Sequence, residues 1–131
     1  MTATRNIVAS AVALLAVSTL LAGCAPASST PGGAAATGPI GVWGETAPEA
    51  PQLDLHESGQ FWGTDGCNRL VGSWTSDGDA VDFGDVIAQT RMHCEGVDTW
   101  LEGMRTGRVE GSSLVILDDS GAEIGTLERQ P

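Results

Sequence analysis

Residues 64–74 read TDGCNRLVGSW, and this stretch decides the centre of the fold. Asp65 and Gly66 favour a tight turn, because an Asp side chain bonds to nearby backbone and Gly accepts a positive φ. Asn68 suits the same turn, because an Asn side chain bonds to nearby backbone and Asn also tolerates a positive φ. Residues 70–75 then have the pattern of a strand that runs into Asp77-Gly78. The stretch therefore predicts a turn followed by one arm of a hairpin.

Hairpin signals lie on both sides of this stretch. Asp77-Gly78 is a strong one, because a type I′ turn needs a positive φ at both central positions. Residues 80–83 alternate apolar and polar side chains, as a returning strand does. Upstream, residues 53–56 alternate in the same way, and Ser58-Gly59 separates them from Phe61. Two hairpins are therefore predicted around the central turn.

The C-terminal third predicts a third hairpin. Residues 113–117 read SLVIL, a continuous apolar run that is typical of a strand buried on both faces. Polar and small residues follow at 118–121, and residues 123–127 alternate again. We expect a central strand paired with a terminal one.

One segment has helical periodicity. An apolar stripe at i, i+3, i+4 and i+7 is formed by Val97, Trp100, Leu101 and Met104. Arg105 comes late in this segment and Gly107 is placed as its C-terminal stop. Because Gly96 and Gly103 weaken the helix, packing against a sheet must stabilise it. The predicted fold is α+β: a curved antiparallel β-sheet with one short covering helix.

The N-terminus has the organisation of a secretory signal. Arg5 precedes an apolar run from Ile7, and the run ends at residues 21–24, which read LAGC. The run is shorter than the about 20 residues that a spanning helix needs. LAGC resembles the lipobox of bacterial lipoprotein precursors. We therefore expect residues 1–23 to be a cleaved signal peptide and Cys24 to carry the lipid that anchors the chain on the extracytoplasmic face of the cell membrane.

The next residues predict a tether. From Cys24 to Gly38 the chain is mainly Ala, Ser, Thr, Pro and Gly, which cannot bury enough apolar surface to offset the entropy of ordering. Residues 24–38 are therefore expected to be a flexible linker, and residues 39–131 to form one domain.

The charge excludes one class of partner. The chain contains 17 acidic residues against 6 basic ones, a formal net charge of −11. Nucleic acid and anionic lipid both require a positive surface that replaces counterions. We expect no nucleic-acid partner, and we interpret the acidity as a source of solubility.

Two cysteines remain if Cys24 is lipidated. Cys67 and Cys94 are then an even number in an oxidising compartment, which favours a disulfide between them. Buried free thiols and a reactive or metal-binding thiol are the alternatives.

The central stretch and a second motif, Thr90-Arg91-Met92 followed by Cys94, resemble the META domain of the HslJ-like family. The resemblance covers most of residues 41–127. The motif positions are Gly66, Cys67, Asn68, Arg69, Gly72, Trp74, Thr90, Arg91, Met92 and Cys94. Proteins of this kind are bacterial envelope proteins, often lipoproteins, linked to heat-shock and other stress responses, with no established catalytic mechanism. The resemblance therefore implies an envelope protein without an assigned reaction.

Enzymatic and metal sites are weak alternatives. Cys67 and His93, with Asn68 or Asp65, supply the residue types of a thiol hydrolase, but a disulfide would remove the nucleophile. A zinc site would need Cys67, Cys94, His93 and His56. Neighbouring residues on a strand face opposite ways, which disfavours that set. A calcium loop would need Asp77, Asp79, Asp82 and Asp85, but a hairpin explains these residues better. We expect no catalytic residue, metal or cofactor.

Aromatic and basic residues have structural explanations as well. The four tryptophans are Trp43, Trp62, Trp74 and Trp100. Each falls in a predicted strand or on the helical stripe, so core packing is expected rather than an aromatic ligand platform. Arg69 and Arg91 are expected to be solvated or ion-paired.

The sequence therefore predicts a lipid-anchored envelope protein whose META-like domain is a non-catalytic binding or scaffold module linked to stress, with an envelope protein as a possible partner. A small disulfide-stabilised inhibitor of an extracytoplasmic hydrolase is the first alternative. A thiol-dependent enzyme that uses Cys67 is the second.

Overall fold

The computed structural model describes residues 37–85 and 87–131. The predicted signal peptide, the lipidation site Cys24 and the predicted linker up to residue 36 lie outside these residues. In the part of the chain that is described, no helix has the length and apolarity needed to cross a membrane.

Short strands make up nearly all of the regular structure. They are β1 (Gly41–Gly44), β2 (Gln52–Leu55), β3 (Gln60–Thr64), β4 (Arg69–Ser73), β5 (Thr75–Asp77), β6 (Ala80–Asp82), β7 (Ala88–Gln89), β8 (Thr106–Glu110), β9 (Ser113–Leu117) and β10 (Glu123–Glu128). All of their pairings are antiparallel. The expected antiparallel, β-rich architecture is confirmed.

The strands form two sheets where the sequence predicted one curved sheet. The first sheet has the order β1-β2-β3-β4-β7, and the second has the order β10-β9-β8-β6-β5. The chain passes between them at Trp74, which separates β4 from β5 and whose backbone N–H donates to the Gly59 carbonyl at 2.8 Å. The sheets also meet at β1 and β10, where the Gln130 N–H donates to the Val42 carbonyl at 2.8 Å.

The core is built from the inward side chains of both sheets. Phe61 of the first sheet meets Phe83, the residue after β6, edge to face, with ring centroids 5.6 Å apart. The buried apolar side chains around them are Trp43, Leu53, Leu55, Leu70, Trp74, Val81, Leu101, Met104, Leu114, Ile116 and Leu127. Burial of this set is the main source of stability.

The three predicted hairpins are present. The turn at Ser58-Gly59 joins β2 to β3, and β9 lies centrally between β8 and β10 with three consecutive buried residues. The β5–β6 hairpin pairs Asp77 with Ala80, so its two central residues are Gly78 and Asp79. Gly78 has a φ of 60° and Asp79 does not have a positive φ, which fits a type II′ turn, because a type I′ turn needs a positive φ at both central positions. The hairpin is confirmed, but the predicted central pair Asp77-Gly78 is off by one residue and the predicted type I′ geometry is wrong.

The predicted covering α-helix is wrong. Only a four-residue 3₁₀ turn, η1 (Trp100–Gly103), forms in this segment, and it buries Leu101. Gly96 has a φ of 80°, which is incompatible with a right-handed helix, and this residue separates η1 from the preceding motif. Gly107 is not a helix stop, because it lies inside β8 opposite Ile116. Within the stripe, η1 packs against β10 without forming a longer helix.

Candidate functional site

The turn between β3 and β4 is organised by a buried carboxylate. Asp65 is fully buried, and its Oδ1 accepts hydrogen bonds from the N–H groups of Cys67 at 2.8 Å and Asn68 at 2.5 Å. The Asp65 N–H in turn donates to the Asn68 carbonyl at 3.1 Å. Gly66 has a φ of 97°, and a Cβ there would lie 2.5 Å from the Glu49 carbonyl oxygen. The predicted turn is therefore present and accepts only glycine at its second position without rearrangement.

Asn68 joins this turn to the second motif. Its side chain is 4% exposed, and Oδ1 accepts from the Met92 N–H at 2.6 Å and from the Thr90 hydroxyl at 3.2 Å. Its Nδ2 donates to the Met92 carbonyl at 3.4 Å. The Thr90 hydroxyl also accepts from the Arg69 N–H at 3.0 Å. The two motifs, far apart in sequence, are thus one hydrogen-bonded unit.

A disulfide completes the unit. Cys67 and Cys94 are bonded with their Cα atoms 5.8 Å apart, across a sequence separation of 27 residues. The expected disulfide is confirmed, and it ties the β3–β4 turn to the loop after β7 rather than to a helix. With both sulfurs in this bond, neither is the thiolate that a nucleophile or a zinc ligand requires.

The other motif residues divide between the core and the surface. Trp74 is buried at the corner between the sheets, and its indole N–H donates to the His56 and Gln60 carbonyls. Arg69, Arg91 and Met92 are exposed, and Met92 is 62% accessible. Among the described residues the side chains of Arg69 and Arg91 make no ion pair within 4.0 Å.

The sequence profile of the META domain family matches residues 40–131, well over half of the chain. The chain belongs to the META domain family. Comparisons with curated proteins and with solved structures found no match.

The META domain presents a flat outer face on its first sheet, made of two parallel rows of side chains. Strand register places Gln52, Thr64 and Arg69 side by side in one row, and Thr90 continues it through its bonds to Arg69. The second row is Asp54, Trp62, Val71 and Ala88. Polar groups thus lie beside a row centred on an aromatic ring.

Trp62 was expected in the core, and that prediction is wrong. Its side chain is 43% exposed on this outer face. Neighbouring residues on a strand point to opposite faces, and Phe61 already occupies the inward position of β3. The adjacent aromatic pair is the sequence signal that would have identified Trp62 as a surface residue. Of the other three tryptophans, Trp43 and Trp74 are buried and Trp100 packs against the core.

The indole of Trp62 is held by its neighbours. His56 packs against it edge to face, with ring centroids 4.1 Å apart and planes at 82°. His56 Nε2 lies 3.2 Å from Asp54 Oδ2, although the pair is not aligned as a hydrogen bond. Shallow clefts of about 370 and 390 Å³ flank Arg69 beside this cluster. The face therefore combines a positioned aromatic ring with nearby hydrogen-bonding groups.

A third cleft, which is acidic and has a volume of about 590 Å³, lies at the end of the second sheet. Asp118 and Asp119 line it from the β9–β10 loop, opposite Asp82 and Asp85. The pKa of Asp118 is lowered from its ordinary value by hydrogen bonds to its carboxylate. The bond from the Ser120 hydroxyl has the largest effect, and the bond from the Ala122 N–H has the next largest. Across residues 37–85 and 87–131 no three acidic, His or Cys side chains are arranged to hold a metal ion. The Asp118 bonds explain the loop conformation without a ligand.

Proposed function

We propose that this META domain is a non-catalytic binding module that a lipid on Cys24 tethers to the extracytoplasmic membrane surface. One observation carries the proposal: the side chains of Asp65, Cys67 and Asn68, which would have supplied catalytic groups, are bonded within the fold. The Cys67 sulfur is in a disulfide, and the Asp65 and Asn68 side chains bond to backbone and to each other. Arg69 stays accessible, and it lies with Trp62 on the outer face of the first sheet.

The anchor part of the proposal rests on the sequence of residues 1–24. A Cys24→Ser variant should not incorporate a labelled fatty acid in cells, because a single residue carries the attachment. Cys67→Ser is the matched control, since it changes a cysteine that takes no part in anchoring. Incorporation of the labelled fatty acid into the Cys24→Ser protein would contradict the anchor.

The binding part is tested by cross-linking in cells. A photoreactive amino acid at Val71, on the Trp62 face, should give adducts that the same group at Arg108, on the second sheet, does not. Several envelope components at Val71 would indicate a scaffold, including one used in a stress response, whereas a single hydrolase would indicate the inhibitor alternative. Equal labelling at both positions, or none at Val71, would contradict a binding role for this face.

A further inference from the structure

The outer face of the first sheet has the composition of a saccharide site. We propose that it binds an uncharged saccharide chain, with Trp62 as the ring on which one sugar stacks. This inference rests on the proposed binding function and names the class of ligand that the same face would take.

The aromatic part of the face is positioned before a ligand arrives. Trp62 is 43% exposed, yet His56 packs against its ring at 4.1 Å and Asp54 lies beside His56. A sugar ring presents apolar C–H groups on its faces and hydroxyls around its rim, so an exposed indole with polar neighbours matches both surfaces. Because the ring is already held, binding costs little side-chain entropy.

The polar row supplies hydrogen bonds of both kinds beside the ring. The Thr64 Oγ1 accepts from the Gly66 N–H at 3.0 Å, which leaves its O–H as a donor toward the face. Gln52 offers an amide, and Arg69 offers guanidinium donors that no carboxylate of the described residues approaches within 4.0 Å. Asp54, which is paired with Trp62 across the strands, supplies acceptor oxygens.

Charge selects an uncharged chain over an acidic one. The protein carries 17 acidic and 6 basic residues, so its long-range field repels anionic polymers. On the face itself the charged members of the two rows are Arg69 and Asp54, one of each sign. Nothing there offsets the repulsion that a polyanion would meet.

The size of the strip also favours a small ligand over a folded protein. Four strands at a spacing of about 4.8 Å and two rows about 7 Å apart give a strip of roughly 14 by 7 Å, or about 100 Å². A typical protein interface buries about 800 Å² on each partner. A few sugar rings match the strip, whereas a globular partner would also have to cover residues beyond the two rows.

The test is saturation-transfer NMR on the full chain, purified in a detergent without a sugar headgroup. The probes are maltotriose, cellotriose and chitotriose, which are uncharged, and trigalacturonate, which is anionic. We expect at least one uncharged probe to bind with a Kd in the millimolar range, and trigalacturonate to bind more weakly or not at all.

Variants locate the site. Trp62→Ala should weaken binding by about tenfold or more and Arg69→Ala should weaken it less, whereas Arg108→Ala on the second sheet should leave it unchanged. Trp62→Phe keeps an aromatic ring and should recover part of the affinity, which separates loss of stacking from loss of folding. Circular dichroism and an intact disulfide confirm that each variant is folded.

Two results would overturn the inference: no binding of any uncharged probe to the wild-type chain, or binding that Trp62→Ala leaves unchanged. If no saccharide probe binds while cross-links at Val71 identify a protein partner, the proposed binding function is supported and the proposed saccharide ligand is wrong. If the saccharides and the cross-links both fail, the proposed function fails with it.

Discussion

At the scale of single residues, Asn68 shows how a motif that looks chemical is structural. Its amide faces Met92 and Thr90 from the second motif, and Asp65 from its own turn. The local sequence predicts a turn-forming Asn but not its partners at 90–92, because that contact joins segments far apart in the chain. The exposure of Trp62, by contrast, follows from local sequence. Strand alternation places Trp62 on the outer face once Phe61 is assigned to the core.

Asn68→Ala should lower the free energy of unfolding by about 2–3 kcal/mol, because it leaves the Met92 N–H and the Thr90 hydroxyl without their acceptor. Urea unfolding of the purified chain measures this change. Ser76→Ala, on the exposed strand β5, is the control and should stay within about 0.5 kcal/mol of wild type. Equal stability of the two variants would show that the Asn68 bonds do not hold the motifs together.

Asp118 gives a pH-dependent prediction at the same scale. Its folded-state pKa is lowered from 3.8, chiefly by the Ser120 hydroxyl bond, so the loop stabilisation is present above 3.8 and is lost as the pH falls through the lower, folded-state value. The NMR shifts of the Ser120 and Ala122 amides should move together at that lower pH. In the Asp118→Asn variant the NMR shifts of these two amides should not change over the same pH range. A transition midpoint at or above pH 3.8 in the wild-type protein would contradict the hydrogen bonds to the Asp118 carboxylate.

At the scale of elements, local signals predicted the hairpins and misassigned the segment before β9. Asp77-Gly78 and Ser58-Gly59 are short-range turn signals that need no distant partner. By contrast, β8 contains Gly107 and follows an apolar stripe of helical spacing, so its strand character depends on pairing with β6 and β9. Close approach of neighbouring strands explains the glycine: a Cβ at Gly107 would lie 3.0 Å from the Val115 carbonyl oxygen.

The packing of η1 on β10 makes a second element-level prediction. A Cβ at Gly125 would lie 2.6 Å from ring atoms of Trp100, so Gly125→Ala should destabilise the fold by about 1–3 kcal/mol through overpacking. Gly103→Ala is the matched control, since its Cβ would meet Ile124 Cδ1 at an ordinary 3.5 Å and its φ is not in the left-handed region. Thermal unfolding of the two variants measures the loss of stability. An equal loss in Gly125→Ala and Gly103→Ala would show that η1 does not pack on β10 as described.

The disulfide makes a prediction about the loop after β7. The Cys67→Ala/Cys94→Ala double variant should lose about 3–4 kcal/mol, the chain-entropy value for closing a loop of this length. Hydrogen exchange should show that protection falls first around Met92, whose N–H bonds to Asn68, while β9 stays protected. Uniform loss of protection in both regions would instead mean that the bond supports the whole fold equally.

At the scale of the whole molecule, the sequence predicted the family, the antiparallel strands and the disulfide, and it missed the division into two sheets. The chain changes sheet at Trp74, and the two sheets meet again where β1 lies near β10. At that second contact Arg129 Cζ lies 3.9 Å from the centroid of the Trp43 ring. Both contacts are set by long-range pairing and not by any local pattern. The same division leaves one face of the first sheet, with Trp62, outside the core.

The central claim is that the motif of this META domain is a closed structural unit carried on a lipid anchor. Intact mass and thiol alkylation of the chain purified from bacterial membranes, with and without reductant, test it most directly. We predict a chain that begins at a lipid-bearing Cys24, with Cys67 and Cys94 resistant to alkylation until reductant is added. Alkylation of Cys67 in the native protein, or an unmodified Cys24, would contradict the claim, and a free Cys67 would restore the thiol enzyme as the leading hypothesis.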